Sequence, residues 1–597
     1  MAGALAASLP AFADEKLPVD PNRDTEVVRR RAGPSEPERY YPPPIDPSQV
    51  PPPTATVPRE MPPVPDRWRI MQSLGSAGRW FDPYNPNALK GDFPIAGEPW
   101  LRDRFPSLAH ALEPDWFLNL GLVSDTLFEA RRLPAAVAPQ SPTSAGQYDV
   151  FGRGRQWTFA ETVVASVSLV KGDTTFRPPD YEIRVTAALD ANHSVAQEDR
   201  ALFIDPAAGL HRDDSHLGLQ EAFFDKHLRN VSDRYDFDSL RVGIQPFQAD
   251  FRGFLFQDVP LGVRLFGTRD DNRWQYNLAW FRRLEKDTNS GLNDLGKRPR
   301  RDDVLFANLY RQDFPVPGFA SQAVLAYDDD REGSGTFYDD NGFLVRPAVV
   351  GDGRPHDYRV AYLGYNGDGH FGRWNLSVSV YGVFGHDDHN PIAQRPQDIR
   401  AGFAAAEVSR DFDWLRVRLN GLWQSGDRDP FDGKATGYDA IMENPQFAGA
   451  ATSFWVRQAV PLVGGGGVAL SGRNGILASL RSSKDQGQSN FVNPGLLLLG
   501  VGADADILPQ LRVSANVSKL RFGDTAVLGV LRNQAPPGRD LGWDVSGSIQ
   551  WRPFMSQNLV VNVSAATLLP GAGTKQLFDE GQRGHQYSLL ANVTLAF

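Results

Sequence analysis

The sequence predicts an all-β fold, a transmembrane antiparallel β-barrel of 16–18 strands preceded by a Pro-rich disordered N-terminal tail. Three observations predict it: two-residue alternation of apolar and polar side chains in many segments after about Trp116, aromatic rings at the ends of the apolar faces, and an apolar face that runs to Phe597. Period-two alternation sends successive side chains to opposite faces of a sheet. A barrel strand is apolar only at every second residue, so its composition imitates that of a water-soluble protein.

The composition fits that imitation. The chain has 597 residues, 62 Lys+Arg against 72 Asp+Glu, 41% hydrophobic and 22% charged residues, and no cysteine. No run of 18 apolar residues occurs, which excludes membrane-spanning helices, since each needs roughly 20. Without cysteine there are no disulfides, thiol nucleophiles or thiolate metal sites. A net charge of −10 argues against nucleic acid as a partner, because phosphate neutralisation requires a basic excess.

Four regions follow. Residues 1–13 end in Ala11-Phe12-Ala13 before the charged Asp14-Glu15-Lys16, a signal-peptidase pattern, and read as a signal-peptide remnant. Residues 14–65 hold 15 prolines in 52 residues and cannot form a ladder or a core. They are expected to be an extended periplasmic tail of polyproline II character, a spacer or a ligand for a periplasmic partner. Residues 66–115 carry Trp68, Trp80 and Trp100 among scattered prolines and are expected to be an irregular periplasmic segment. Residues 116–597 form the barrel.

The alternation is clearest in Trp543 to Trp551. Trp543, Val545, Gly547, Ile549 and Trp551 share one face; Asp544, Ser546, Ser548 and Gln550 share the other. The same pattern fits Leu511 to Ser518, Leu559 to Ala565, Leu415 to Trp423, Trp374 to Tyr381 and Tyr181 to Asp190. Eight residues separate Trp543 from Trp551, which at about 3.3 Å per residue and a tilt near 40° spans roughly 20 Å along a membrane normal, close to the height of a lipid-facing band. Trp274 and Trp280 bracket Tyr276 and Leu278 similarly.

Strand candidates begin near 116, 157, 181, 217, 239, 261, 273, 303, 321, 357, 374, 402, 414, 477, 496, 511, 543, 559 and 586. An even number is required of such barrels, and 18 is preferred. Polar insertions around 191–216, 286–302, 328–356 and 425–450 are expected to face outside, and Ile507-Leu508-Pro509-Gln510 to be a periplasmic turn.

The residues that alternation turns inward are the candidate pore-lining set: Arg184, Arg241, Arg359, Arg416, Arg418, Arg512 and Asp544. Guanidinium groups around an aqueous bore select anions. The opposing reading pairs each Arg with an acid on a neighbouring strand or an inward-folded loop.

Tyr587, Leu589, Ala591, Val593, Leu595 and Phe597 occupy alternate positions up to a terminal aromatic. This resembles the β-signal of Gram-negative outer-membrane proteins and implies recognition of Tyr587, Leu595 and Phe597 by the assembly machinery. Within 217–268, the runs Leu219 to Phe224, Leu240 to Phe247, Asp250 to Leu255 and Gly262 to Leu265 resemble the strand pair of alginate-export-type porins. The resemblance implies a wide-bore porin in the outer membrane, bathed by its lipid and passing polar solutes, anionic ones among them, or oligosaccharides by diffusion.

Catalytic motifs are missing: no G-x-x-x-x-G-K-[ST], G-x-S-x-G or H-E-x-x-H occurs. Gly464 to Gly467 reads as a flexible turn. His386-Asp387-Asp388-His389 has residues for a divalent metal or a hydrolytic site and reads mainly as a solvated loop. Asp328, Asp330, Glu332, Gly333 and Asp339 fall at calcium-loop spacing with substituted ligands and no helix expected on either side. The expectation is therefore a channel and not an enzyme, with no cofactor and no metal. The alternatives are an outer-membrane hydrolase using His386 and Asp387, and a structural barrel anchoring the tail. Roughly 100 Pro-broken N-terminal residues cannot supply the plug of a TonB-dependent transporter.

Overall fold

A computed structural model describes residues 88–132, 154–172, 178–197, 199–234, 236–347, 352–449, 484–554, 557–577 and 584–597. The Pro-rich tail, the signal-peptide pattern, Gly464 to Gly467 and the strand expected near 477 lie outside them. Eighteen antiparallel strands form the barrel: β1 Trp116–Arg132, β2 Arg155–Lys171, β3 Tyr181–Ala196, β4 His211–Asn230, β5 Phe237–Ile244, β6 Leu261–Arg269, β7 Trp274–Arg282, β8 Asp302–Arg311 and β9 Phe319–Asp330 in the first half. The second half is β10 Tyr358–Phe371, β11 Trp374–Asn390, β12 Arg395–Phe412, β13 Leu415–Gln424, β14 Leu496–Leu508, β15 Leu511–Phe522, β16 Asp540–Trp551, β17 Leu559–Pro570 and β18 Gln586–Ala596. Each pairs with the next in sequence, and β1 pairs with β18 from Val123↔Ala596 to Arg132↔Tyr587, closing the sheet. Closure is what lipid demands, since an open edge there leaves backbone donors without partners.

The register follows the alternation. Ile549 lies opposite Val513 on one side and Val563 on the other, all on the outer face, while the adjacent Ser548 lies between Ser514 and Ser564 on the inner face. Large apolar side chains stand exposed around the circumference: Leu363 is 63% exposed, Leu499 64% and Ile549 49%. Trp543 and Trp551 point outward at the two ends of their strand, 47% and 48% exposed. An apolar surface of this extent belongs in contact with lipid.

Connections alternate in length. Those joining β12 to β13 and β14 to β15 are Asp413-Trp414 and the expected Pro509-Gln510, whereas those after β7, β9 and β13 span 283–301, 331–357 and 425–495. Residues 191–196 and 211–216, expected within a polar insertion, belong instead to β3 and β4. Asn192, Ser194 and Arg212 are buried on the inner face, while His193 pairs with Asp213 at 2.7 Å on the outer face beside Trp157, so these strand ends are polar on both sides.

Several long connections turn inward, which corrects the expectation that 425–450 faces outside. Tyr438, Ala440, Ile441 and Met442 are buried, and Phe256 bridges Met442 in parallel. The connection 245–260 crosses the inner wall: Phe247 packs on Phe281 and Phe306, and Phe254 on Phe403 and Phe447. The inner faces of β7–β12 are apolar at Phe281, Phe306, Val324, Tyr358, Tyr362, Val383 and Phe403. Water would leave that surface unsatisfied, so the loops' own apolar residues cover it. Gly253 makes the tip possible. Its φ is 71°, and a Cβ there would meet the Asn444 carbonyl oxygen at 2.5 Å. Gly253→Val is expected to unseat this tip, read as faster protease cleavage within 245–260 while the barrel's melting temperature holds.

A short strand, Lys90–Pro94, pairs antiparallel with β1 at Asn119 and Phe117, on the stretch of β1 that β18 does not cover. Beyond it, two short helices, Pro99–Arg104 and Pro106–Ala111, bury Ile95, Leu101 and Ala109 against Trp116 and Leu118.

Candidate functional site: the charged inner wall

Six of the seven candidate residues fall on the inner face. Arg184 is on β3, Arg241 on β5, Arg416 and Arg418 on β13, Arg512 on β15 and Asp544 on β16, each out of phase with its strand's exposed apolar side chains. Arg359 is the correction. It shares a face with Leu363 and Tyr365, which are exposed, and lies opposite Asp329, to which its Nε donates at 3.4 Å. The inward residues of β10 are Tyr358, Val360 and Tyr362, so the phase of this strand is set by its apolar contact with the inward loops and not by polarity.

The inward arginines are paired. Arg184 reaches Glu182 at 2.7 Å, Arg241 reaches Asp225 at 2.8 Å, Arg416 reaches Asp411 at 2.5 Å, Arg418 reaches Asp504 at 3.1 Å and Arg512 reaches Asp506 at 2.7 Å. The inner wall also carries Asp125, Glu129, Asp190 and Glu407, so it is a mixed-charge surface and not a ring of free cations.

One stretch of wall differs. Arg264, on β6, lies directly across the ladder from Arg241, and Arg264 has no carboxylate within 4.0 Å among the described residues. Its Nε donates to the neutral Asn277 Oδ1 at 2.7 Å, and its guanidinium stands 4.7 Å from the Phe266 ring and 5.4 Å from Phe247. Arg241 in turn stands 4.1 Å from Phe223, which Arg184 also faces. Arg184, Arg241 and Arg264 thus form a row interleaved with rings. Opposite like charges destabilise a sheet, and the ring faces lessen that cost without removing it.

Arg252, at the tip of the inward connection, donates to Ser377 Oγ at 2.9 Å and approaches Asp368 and Glu407 at 3.4 and 3.5 Å. The alternation of Leu261, Val263 and Leu265 could have assigned Arg264 inward. No local signal marks Arg252, because its position depends on a loop folding onto strands more than a hundred residues away.

The inward loops are held by buried ions. Arg300 pairs with Glu332 at 2.6 Å and donates to the Gly487 carbonyl at 2.9 Å; Lys484 pairs with Asp439 and Glu443 at 2.5 and 2.7 Å. Burial raises the Glu332 carboxyl, but Arg300 and Arg346 outweigh it and hold it below the usual range. The calcium-loop spacing does not form a loop: Asp328 and Asp330 lie on β9, Glu332 serves Arg300, and Asp339 caps a separate turn at Asn341 and Phe343.

Asp427, in the connection after β13, is pushed up to about 6 by burial, against hydrogen bonds from the Thr436 and Asp429 amides. Asp339 is likewise pushed up to about 6 by burial. A raised folded-state value means that the packed loop holds its proton more tightly, so packing is strongest below about pH 4 and weakens as pH rises through about 6. Single-channel flicker should therefore be lower at pH 5 than at pH 7.5, and Asp427→Asn together with Asp339→Asn should remove most of that difference, each alone a part of it.

The His386 to His389 run does not act as a unit. His386 faces outward to Asp398 at 3.1 Å, His389 pairs with Asp352 at 2.8 Å, and Asp387 pairs with His356 at 2.8 Å. Among the described residues no serine or threonine hydroxyl is hydrogen-bonded to a histidine ring, so no activated-hydroxyl site is assembled at this run.

No family model and no curated protein matches the chain. Among solved structures, it is similar to Pseudomonas aeruginosa OccK2 (OpdF) in complex with glucuronate, at 14% identity over 80% of this chain and 98% of that one, TM-score 0.41. It is similar to P. aeruginosa OpdK with vanillate at 12% identity, 80% and 98% coverage and TM-score 0.42. Acinetobacter baumannii OccAB3 gives 11% identity, 80% and 99% coverage and TM-score 0.44.

Proposed function

We propose that the chain is an outer-membrane channel for passive diffusion of small polar solutes, with a preference for anions that carry a carboxylate. The closed barrel with an apolar circumference and a polar, charged inner wall supports a water-filled pathway across lipid. The observation that carries the anion preference is Arg264, a guanidinium without a carboxylate partner, set opposite Arg241. An anion between the two relieves their repulsion, and a planar carboxylate matches the guanidinium fork. The paired arginines Arg184, Arg416, Arg418 and Arg512, with Asp544, line the same wall and set a near-neutral background. The resemblance to alginate-export-type porins supports the channel class only. In this reading Tyr587, Leu595 and Phe597 serve assembly: Tyr587 and Leu595 are exposed on the outer face of β18, where the assembly machinery could read them.

Reversal potentials in a salt gradient across a planar bilayer test this. Anion preference is expected, and Arg264→Gln should lower the anion-to-cation permeability ratio by a factor of about 2–5 at low salt. Cation preference in the unchanged protein, or an insulating barrel, would overturn the proposal.

A further inference from the structure

His356, Asp387 and Asp388 come together where the end of the 331–357 connection meets the end of β11. Each offers one donor atom, and the three donor atoms lie within 4.8 Å of one another. We propose that they form a binding site for a divalent first-row transition ion, with zinc as its best occupant.

The local construction supports a cation. Bonds of about 2.0–2.2 Å to a shared ion allow donor atoms up to ~4.4 Å apart, so a shift of a few tenths of an ångström at one residue completes the set. Asp388 is exposed and can make that shift; His356 and Asp387 are buried, at 5% and 4% exposure, and supply fixed walls. The carboxylates are already oriented. Asp387 Oδ1 accepts from the His389 amide at 3.1 Å, and Asp388 Oδ1 from the Asp357 amide at 2.9 Å. The second oxygen of each accepts no hydrogen bond among the described residues. Such outer contacts, which aim a ligand while leaving a lone pair free, are characteristic of metal sites.

An ion pair between His356 Nδ1 and Asp387 Oδ1 at 2.8 Å explains two of the three residues. It leaves Asp388 as a further carboxylate beside the pair, with Asp352 and Asp357 close in sequence to His356. His389 takes Asp352 at 2.8 Å, and a divalent ion meets the charge that Asp387 and Asp388 together present to His356. Imidazole nitrogen favours zinc and its neighbours over calcium or magnesium, which take oxygen ligands. The exposed side at Asp388 provides the path in. Bound there, the ion joins a long connection to the rim of the barrel.

The test uses the full chain in detergent, tag removed and stripped with a chelator, then titrated with zinc chloride against a chromophoric chelator. One zinc per chain is expected at this site. His356→Ala and Asp388→Asn should each weaken binding by about tenfold or more, and His386→Ala, at the outward neighbour, should leave it unchanged. Asp388 is exposed, so Asp388→Asn tests the site even if His356→Ala fails to fold. A hundredfold excess of calcium should not displace the zinc. The proposal is overturned if no zinc binds, if Asp388→Asn binds as the unchanged protein does, or if calcium competes on equal terms.

Discussion

Ile549→Arg is expected to destabilise the folded barrel by about 1–3 kcal/mol, whereas Ser548→Arg, one residue away, should stay within about 0.5 kcal/mol of the unchanged protein. Ile549 is 49% exposed on the outer face, two positions from the midpoint between Trp543 and Trp551, with Val513 and Val563 beside it. A guanidinium there enters the lipid-facing band about halfway between the strand's midpoint and the Trp551 interface. At Ser548 the same group enters the inner wall between Ser514 and Ser564, where small hydroxyl side chains leave room for it. Urea-driven unfolding in lipid vesicles reads the difference. Equal losses for the two substitutions would mean that the assigned faces are wrong.

Arg300→Met should release the inward loops rather than the barrel. The guanidinium is wholly buried, with Glu332 at 2.6 Å and Asp302 and Asp330 at 3.8 Å. Removing it leaves Glu332 to Arg346 at 3.1 Å and Asp302 to Arg283 at 2.8 Å, takes the cation from buried Asp330, and frees the Gly487 carbonyl, at a local cost of about 3 kcal/mol. The expected result is faster protease cleavage within 484–495 and a larger, noisier conductance, with little change in the barrel's melting temperature. Arg331→Met is the control: its guanidinium is 46% exposed beside Asp303 and Asp329, and its loss should cost under about 1 kcal/mol.

The barrel was legible in the sequence because its rule is local. Trp543 to Trp551 declares two faces within nine residues, and most expected strand starts fall within a few residues of those observed. The interior was only half legible. Arg184, Arg241, Arg416, Arg418 and Arg512 followed the alternation inward; Glu182 on the same strand as Arg184, and Asp411 and Asp506 across two-residue turns from Arg416 and Arg512, are local partners, but Asp225 for Arg241 and Asp504 for Arg418 depend on register between strands, which one strand does not encode. Arg359 broke the rule because the inner face of β10 is apolar beneath folded-in loops, so the polar side of that strand is the outer one near the rim. Arg252 and Tyr438 sit where they do because segments distant in sequence pack together, and composition marked them only as loop.

The strand Lys90–Pro94 bears on how such a cylinder comes into being. Until the final strand arrives, β1 has one raw edge, and a raw edge recruits strands from other chains. Lys90–Pro94 lies along the part of that edge near Phe117 and Asn119, and the Lys90 ammonium rests 4.6 Å from the Phe597 ring. That segment covers only the end of the edge that β18 never reaches, so it caps for good a stretch that closure leaves open, while Val123 to Arg132 wait bare for the final strand.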